Sequence, residues 1–324
     1  MEIITGTREF QLEAPTVVTI GKFDGRHRGH QKLLKEMLRI KAEHGLQAAV
    51  FTFDMAPLGV MAGKVQTVIT TNQERRSKMA RIGMDYLVEY PFDLEVAHMP
   101  PEEFVAGVLV GQMKAKAVVV GTDCSFGYKG AGNAALLKEL AGRYGFEARI
   151  LEKEQDDHRD ISSTYVREEL AQGNMEKANE LLGEPYAVHG TVVHGNHLGG
   201  SVLGFPTANL LPPKEKHLPL FGVYVSRVLV GKDAYGGVTN IGRKPTVDGC
   251  SPVGVETFIM GLDQDLYGTE IEVQLLHFLR QEKKFASLEE LKQQIEQDKE
   301  AALSYVQARK GAFGPGAAGQ EPEF

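Results

Sequence analysis

The sequence predicts an α/β domain built on a parallel sheet, followed by a small antiparallel β-barrel with a C-terminal helix. The chain has 324 residues, a length that suits two domains of ordinary size. Around residues 183–185, alternating apolar runs and amphipathic stretches give way to short strands separated by Gly and Pro. We therefore expect a first domain at 1–184, a second at 185–310 and a disordered tail at 311–324.

Composition narrows the class of protein before any motif is considered. Hydrophobic residues make up 42% and charged residues 24%, as in globular proteins. The net charge of −7 argues against a nucleic acid or an anionic membrane as partner. Cys124 and Cys250 are the two cysteines, which predicts a reducing compartment and no disulfide scaffold. Without a signal peptide or a long apolar run, we expect a cytoplasmic protein.

The first domain alternates buried strands with amphipathic helices. Two helical faces are marked by Leu33, Leu34, Met37 and Leu38, and by Leu136, Leu137 and Leu140. Continuous apolar runs predict the strands, at 17–20, 49–53, 86–88 and 117–120. A strand, helix, strand repeat indicates a parallel sheet wrapped by helices.

The second domain shows shorter apolar segments, typical of an antiparallel barrel. Its predicted strands are 188–193, 222–230, 235–241, 255–260 and 271–278. Ser287 and Glu290 form a predicted capping box that begins the closing helix. The tail at 311–324 consists largely of Gly, Ala and Pro and has little to bury, so we expect it to be disordered.

The most informative segment, residues 20–30, joins a buried strand to a helix and contains the pattern His-x-Gly-His at His27 and His30. Glycines there let the backbone approach a phosphate, and the free N–H groups of the helix start face the anion. Two imidazoles at this spacing can donate to phosphate oxygens as charge builds in a transition state. The alternative, a pair of surface histidines beside a turn, is less favoured for this pattern. The candidate residues here are Gly21, Phe23, Asp24, Gly25, His27 and His30.

The segment resembles the signature of His-x-Gly-His nucleotidyltransferases, and specifically the bifunctional riboflavin kinase/FAD synthetase family. Three further stretches agree, in the right order: 120–127, 161–167 and the Gly-Phe-Pro-Thr-Ala-Asn run at 204–209. The resemblance implies a Rossmann-like nucleotidyltransferase domain followed by a riboflavin kinase barrel. It implies phosphorylation of riboflavin to FMN and then adenylylation of FMN to FAD, with ATP as co-substrate and Mg²⁺ as cofactor.

Further residues of the first site are implied by this resemblance. Hydroxyl and amide groups at a helix mouth would contact ATP, although Ser-Ser-Thr alone is more often an ordinary helix cap. Asp123 would lie near ATP and the flavin phosphate, with a turn residue at a strand end as an equally weighted alternative. The additional candidates are Asp123, Arg159, Ser162, Ser163, Thr164 and Arg167.

The kinase site is predicted around Thr207, Asn209 and Glu256. Thr207 and Asn209 stand at i and i+2 of an extended segment, so their oxygens would reach the same Mg²⁺. Glu256 matches the family's catalytic base, against the alternative of an outward-facing strand residue. ATP and flavin contacts are implied for Gly200, Ser201, Gly204, Pro206 and Asn240.

Two departures from the family pattern leave alternatives open. Ala56 stands where the family usually has His, and Ser201 where it usually has Lys or Arg. The first motivates the alternative of a riboflavin kinase with an impaired first domain. A flavin-binding regulator without turnover is a further alternative, which the combination of metal ligands and a base argues against. The expected partners are small-molecule substrates, and a homo-oligomer stays open.

Overall fold

The computed structural model describes residues 1–54, 67–194, 207–243, 253–309 and 313–319. Its contacts group the chain into two compact units, Met1–Ser163 and Thr164–Phe324. The predicted fold classes are confirmed, since the first unit holds a parallel sheet with helices and the second an antiparallel sheet with a long C-terminal helix.

The sheet of the first unit has six strands, and every neighbouring pair is parallel. The strands are β1 Glu2–Thr5, β2 Thr16–Ile20, β3 Gln47–Phe53, β4 Tyr86–Tyr90, β5 Ala115–Gly121 and β6 Glu147–Leu151. Their spatial order is β1-β4-β3-β2-β5-β6. β2 therefore lies between β3 and β5, and the chain leaves it towards β3.

Helices cover both faces of this sheet, which explains why its strands are apolar without alternation. The helices are α1 Arg28–His44, α2 Asn72–Arg81, α3 Leu94–Ala97, α4 Pro101–Glu103, a π-helix Phe104–Gln112 and α5 Ala134–Tyr144. Adjacent residues of β2 point to opposite faces, so Val17 joins the core beneath α1 and Val18 joins the core beneath the π-helix.

The boundary between the two compact units lies after Ser163, about 20 residues before the predicted boundary at residue 184. After the short strands β7 Gln155–Asp156 and β8 Arg159–Asp160, two helices follow, α6 Ser163–Gln172 and α7 Met175–Leu182. The buried Asn179 of α7 donates from Nδ2 to the Leu275 carbonyl at 2.8 Å and accepts from the Tyr186 N–H at 2.7 Å. By contact, α7 therefore belongs to the second unit, which the amphipathic pattern alone did not indicate.

The second unit is a curled sheet of six antiparallel strands. The strands are β9 Tyr186–Thr191, β10 Thr207–Leu210, β11 Gly222–Val230, β12 Asp233–Arg243, β13 Val253–Ile259 and β14 Glu270–Arg280. Their order is β10-β13-β12-β11-β14-β9. The N–H of Val193, just after β9, donates to the carbonyl of Asn209 in β10 at 2.9 Å, which brings the two edges of the sheet together.

The C-terminal helix α8, Leu288–Ala308, begins at the predicted cap. The Ser287 hydroxyl accepts from the N–H of Glu290 at 3.2 Å. The Glu290 carboxylate, however, accepts from the N–H of Ala286 at 3.0 Å, one residue before the position that a capping box requires.

Residues 313–319 of the predicted tail belong to the described part of the chain. Gly314 exchanges two backbone hydrogen bonds with Ala234 at 3.1 and 2.7 Å. The guanidinium of Arg227, only 1% exposed, donates to the carbonyl of Ala317, which is itself buried. Backbone hydrogen bonds and a buried cation, which composition does not reveal, thus hold a segment with few apolar side chains.

Candidate active sites

The first unit contains a cavity of about 840 Å³ lined by residues that follow β2 and β5. These two strands are neighbours, yet the chain crosses from β2 to β3 on the other side. Ligands of parallel α/β sheets bind where the strand order diverges in this way, outside the carboxyl ends of the strands. The volume suits a nucleotide-sized ligand.

The turn after β2 has an unusual backbone. Phe23, Gly25 and Arg26 have φ values of 50°, 81° and 32°, in the left-handed region that favours glycine. Two hydrogen bonds with Thr70, which is distant in the sequence, stabilise this turn. The Thr70 hydroxyl accepts from the N–H of Gly25 at 3.2 Å, and the Asp24 carboxylate accepts from the N–H of Thr70 at 3.1 Å. Phe23, Asp24 and Gly25 thus shape the turn and do not line the cavity, whereas Gly21 lines it.

His27 and His30 line the cavity together. Their rings stack with centroids 3.8 Å apart, at the N-cap and in the first turn of α1. A Cβ on Gly29 would lie 3.2 Å from Nδ1 of His27, so the glycine of the pattern leaves room for the ring. Nδ1 of each histidine is buried and has no hydrogen-bond partner within the described part of the chain.

Burial keeps both imidazoles neutral. It lowers the pKa of His27 to about 4, against smaller opposing effects of Asp24 and Asp123. It lowers the pKa of His30 well below its usual value, and the neighbouring His27 and Arg26 add to that effect. Two buried neutral rings with unused nitrogens can offer N–H donors to a phosphate.

Lysines supply positive charge around the cavity. Lys22, Lys32, Lys129 and Lys153 all line it. Asp123 also lines it and sits 3.1 Å from Nζ of Lys153. Hydrogen bonds that Lys153 donates to Asp160 and Asp123 raise the pKa of Lys153, which keeps this amine charged.

The Ser-Ser-Thr motif is divided between the two compact units. Ser162 and Ser163 line the cavity, and the Ser163 hydroxyl donates to the carbonyl of Asp24 at 2.7 Å. Thr164 and Arg167 belong to α6 in the second unit, and Arg159 is an exposed residue of β8 that does not line the cavity. The nucleotide-binding roles of these three residues stay predictions.

The sequence motifs missed the aromatic end of the cavity. His98 and Tyr128 stack there with ring centroids 5.0 Å apart, and the cavity is also lined by Phe51, Phe53, Phe92, Phe104 and Phe126. A Cβ on Gly127 would lie 2.6 Å from Cα of Pro101, so this glycine permits the close approach of the first residue of α4. The residues at this end come from two stretches of the chain, 92–104 and 126–128, and no local pattern marks them as one wall.

In the second unit, three predicted residues stand in one row across neighbouring strands. Glu256 of β13 pairs with Asn209 of β10 on one side and with Asn240 of β12 on the other. Residues directly opposite each other on antiparallel strands carry their side chains on the same face. The sheet thus presents a carboxylate between two amides.

Thr207 and Asn209 share that face and touch. The Asn209 amide, on a residue 4% exposed, donates to the Thr207 carbonyl at 3.1 Å and to its hydroxyl at 3.4 Å. Hydroxyl and amide oxygens are the hard donors that Mg²⁺ prefers, and Mg²⁺ commonly takes its remaining ligands from water and substrate phosphate. Within the described ranges no group of three or more His, Cys, Asp or Glu could hold a metal ion.

Some predicted positions lie outside the described residues. They are Ala56, Gly200, Ser201, Gly204 and Pro206. The two departures from the family pattern are among them.

Family models match both halves of the chain. The FAD synthetase model matches residues 9–165 and the riboflavin kinase model matches residues 182–306. No helix of the described part is long and apolar enough to cross a membrane.

Relatives match the chain over nearly its full length. A protein of Escherichia coli (strain K12) named bifunctional riboflavin kinase/FMN adenylyltransferase is 37% identical over 96% of this chain and 100% of its own. A protein of the same name from Bacillus subtilis (strain 168) is 34% identical over 90% and 93%. A crystal structure titled macrolide-efflux protein from Streptococcus pneumoniae has a TM-score of 0.82 and 31% identity, covering 93% of this chain and 98% of its own. The two domains, their order and these identities place the chain in the bifunctional riboflavin kinase/FMN adenylyltransferase family.

Proposed function

We propose that the protein makes FAD in two steps at two sites. Riboflavin and ATP give FMN and ADP in the domain at 185–310, and FMN with a second ATP gives FAD and pyrophosphate in the domain at 1–184. The observation that carries this proposal is that each matched domain has its own set of chemical groups. One is the cavity around His27 and His30, and the other is the row of Asn209, Glu256 and Asn240.

In the adenylylation step, the FMN phosphate attacks the α-phosphorus of ATP and pyrophosphate leaves. The reaction needs two anions held in line and their charge neutralised, with little covalent help from the protein. His27 and His30 donate to phosphate oxygens of ATP and stabilise the departing pyrophosphate. Lys22 and Lys153 add charge at the rim, and the aromatic end around Tyr128 takes the flat flavin.

In the kinase step, Glu256 accepts the proton of the terminal ribityl hydroxyl as that oxygen attacks the γ-phosphate of ATP. Thr207 and Asn209 would hold Mg²⁺. The bound ion would neutralise the phosphate charge that develops during transfer. Asn240 lies beside Glu256 and fixes one flank of the site.

Ala56 supports a second candidate, a riboflavin kinase whose first domain turns over slowly. Loss of one charge-assisted hydrogen bond costs about 1.5–3 kcal/mol, or roughly 10- to 100-fold in rate. Such a loss slows adenylylation without abolishing it. Ser201 likewise weakens phosphate binding in the kinase domain, because it lacks the positive charge of the basic residue that the family usually has there.

Chromatography of products tests these candidates. Purified protein is incubated with ATP and Mg²⁺, once with riboflavin and once with FMN, and each reaction is repeated with excess EDTA. FMN followed by FAD from riboflavin, both suppressed by EDTA, is the expected result. FMN without FAD in both incubations supports the kinase alone, and no ATP consumption supports a flavin-binding regulator.

Location and partners form part of the same proposal. A cytoplasmic enzyme that acts on small molecules, without a nucleic-acid or membrane partner, agrees with the net charge of −7 and with the two cysteines. Its oligomeric state is left open.

A further inference from the structure

We infer that Glu282 is a positioning residue of the kinase site that orients the side chain of Asn240. The Asn240 amide nitrogen donates to Oε1 of Glu282 at 3.3 Å. Asn240 is the residue that flanks Glu256 in the row across the sheet. The inference rests on the proposed kinase site and adds a residue that acts through Asn240.

The hydrogen bond selects one of the two orientations of the Asn240 amide. Carboxylate oxygens only accept, so Nδ2 faces Glu282 and Oδ1 faces away from it. On β12, Asn240 is paired with Glu256 of β13 on one side and with Val223 of β11 on the other. Val223 in turn pairs with Arg280 of β14. Glu282 follows Arg280 by two residues and thus reaches Asn240 from the side opposite to Glu256.

The segment that carries Glu282 is anchored on both sides. Arg280 donates to both oxygens of Asp298 in α8, at 3.0 and 2.7 Å, and Asp298 is 5% exposed. The N–H of Ala286 donates to the Glu290 carboxylate at 3.0 Å. A fixed segment between β14 and α8 lets an exposed carboxylate act as a positioning group, because little entropy is lost when it binds the amide.

Gly242 supplies a second, independent observation. A Cβ at this position would lie 2.7 Å from Oε2 of Glu282 and closer still to Oε1. Its backbone is not left-handed, so alanine suits the strand, and the three atoms nearest to the added Cβ all belong to the Glu282 carboxylate. Glycine at 242 leaves the space that lets Glu282 lie against β12.

Four variants of the full chain test this role: Glu282→Ala, Glu282→Gln, Gly242→Ala and Asn240→Ala. Riboflavin kinase kcat and the KM for ATP and riboflavin are measured. Glu282→Ala and Gly242→Ala are expected to lower kcat about tenfold, the loss of one hydrogen bond in the transition state. Glu282→Gln keeps an acceptor for the amide and is expected to stay within about threefold of the wild type. Adenylylation of added FMN, which uses the other site, controls for folding.

The double variant Glu282→Ala with Asn240→Ala decides whether Glu282 acts through Asn240. Equal kcat for the double variant and for Asn240→Ala alone is the expected result, because the effects of coupled residues do not add. Additive losses, or a Glu282→Gln as slow as Glu282→Ala, would overturn the inference and give Glu282 a direct role on the ligand. If the proposed kinase site itself were wrong, Glu256→Gln would keep full kinase activity, and this result distinguishes the two failures.

Discussion

The two sites of this chain are built in opposite ways. In the first unit, the core of the site is one continuous segment, in which a strand end, a strained turn and a helix start bring Gly21, His27 and His30 together. In the second unit, Asn209, Asn240 and Glu256 come from three strands and meet only through their register. A contiguous site is visible as a motif, whereas a site made by register becomes visible only once the strands are paired.

The two sites also differ in what supports them. His27 and His30 are held by burial and by a left-handed turn, so their surroundings tolerate little added volume. Glu256 stands on a regular strand between two amides, so Glu256→Gln removes its charge and keeps nearly the same side-chain volume. Substitutions that separate the two activities test this difference.

The largest expected effect is that of Glu256→Gln. Removing the base should lower FMN formation from riboflavin by roughly 10²- to 10⁴-fold, because a positioned general base contributes that much. Conversion of added FMN to FAD should stay within twofold of the wild type. Both rates are measured by chromatography, with Glu270→Gln, an exposed position in the same sheet, as the matched control. Loss of both activities would show that the sites are not separate.

A second difference concerns pH, since histidines of the two units respond in opposite directions. Burial lowers the pKa of His27 to about 4, so below pH 6.5 the unfolded chain binds a proton that the folded chain refuses. Acidification from pH 7 to 4 should lower the free energy of unfolding of the first unit by about 2–3 kcal/mol through this residue. The hydrogen bond to Glu176 raises the pKa of His277 in the second unit, so its stabilisation is present below pH 6.5 and is lost as pH rises through the raised pKa. That exposed pair contributes only about 0.5 kcal/mol.

Denaturant unfolding followed by circular dichroism at several pH values measures this contrast. In His27→Gln, the free energy of unfolding should fall less between pH 7 and pH 4 than in the wild type, by the amount assigned to His27. His277→Gln should lower the free energy of unfolding near pH 6 and leave it unchanged at high pH. An identical acid dependence of His27→Gln and wild type would contradict the assigned burial of His27.

The smaller of the two effects on catalysis is that of Gly29→Ala. The added Cβ would lie 3.2 Å from Nδ1 of His27, so the ring must shift, and FAD formation from FMN should fall about tenfold. Kinase activity should be unchanged. Gly142→Ala in α5 is the matched control, because a Cβ there meets nothing within 4 Å. A rate of adenylylation equal to that of the control would mean that the close packing of His27 has no catalytic consequence.

Local patterns in the sequence predicted much of the fold. Apolar runs such as 17–20 and 117–120 became β2 and β5, and the His-x-Gly-His pattern predicted the histidines that line the cavity. The features that these local patterns did not indicate depend on contacts between residues distant in the sequence. The attachment of α7 through Asn179 and the docking of residues 313–319 onto Ala234 leave no periodic signal.

The aromatic end of the cavity was missed for the same reason. Tyr128 and His98 are 30 residues apart in the sequence, and only the fold brings their rings together. The row of Asn209, Glu256 and Asn240 was predicted residue by residue from the resemblance, but its register could not be predicted, because a shift of one residue moves every side chain to the other face.

The central claim is that one chain carries two separate sites, one for each step of FAD formation. It is tested most directly by mixing His30→Ala with Glu256→Gln in the presence of riboflavin, ATP and Mg²⁺. Alone, His30→Ala should accumulate FMN and Glu256→Gln should leave riboflavin unconverted, whereas the mixture should form FAD at close to half the wild-type rate per total protein. A mixture that forms no FAD, although each variant keeps its remaining single activity, would contradict the claim.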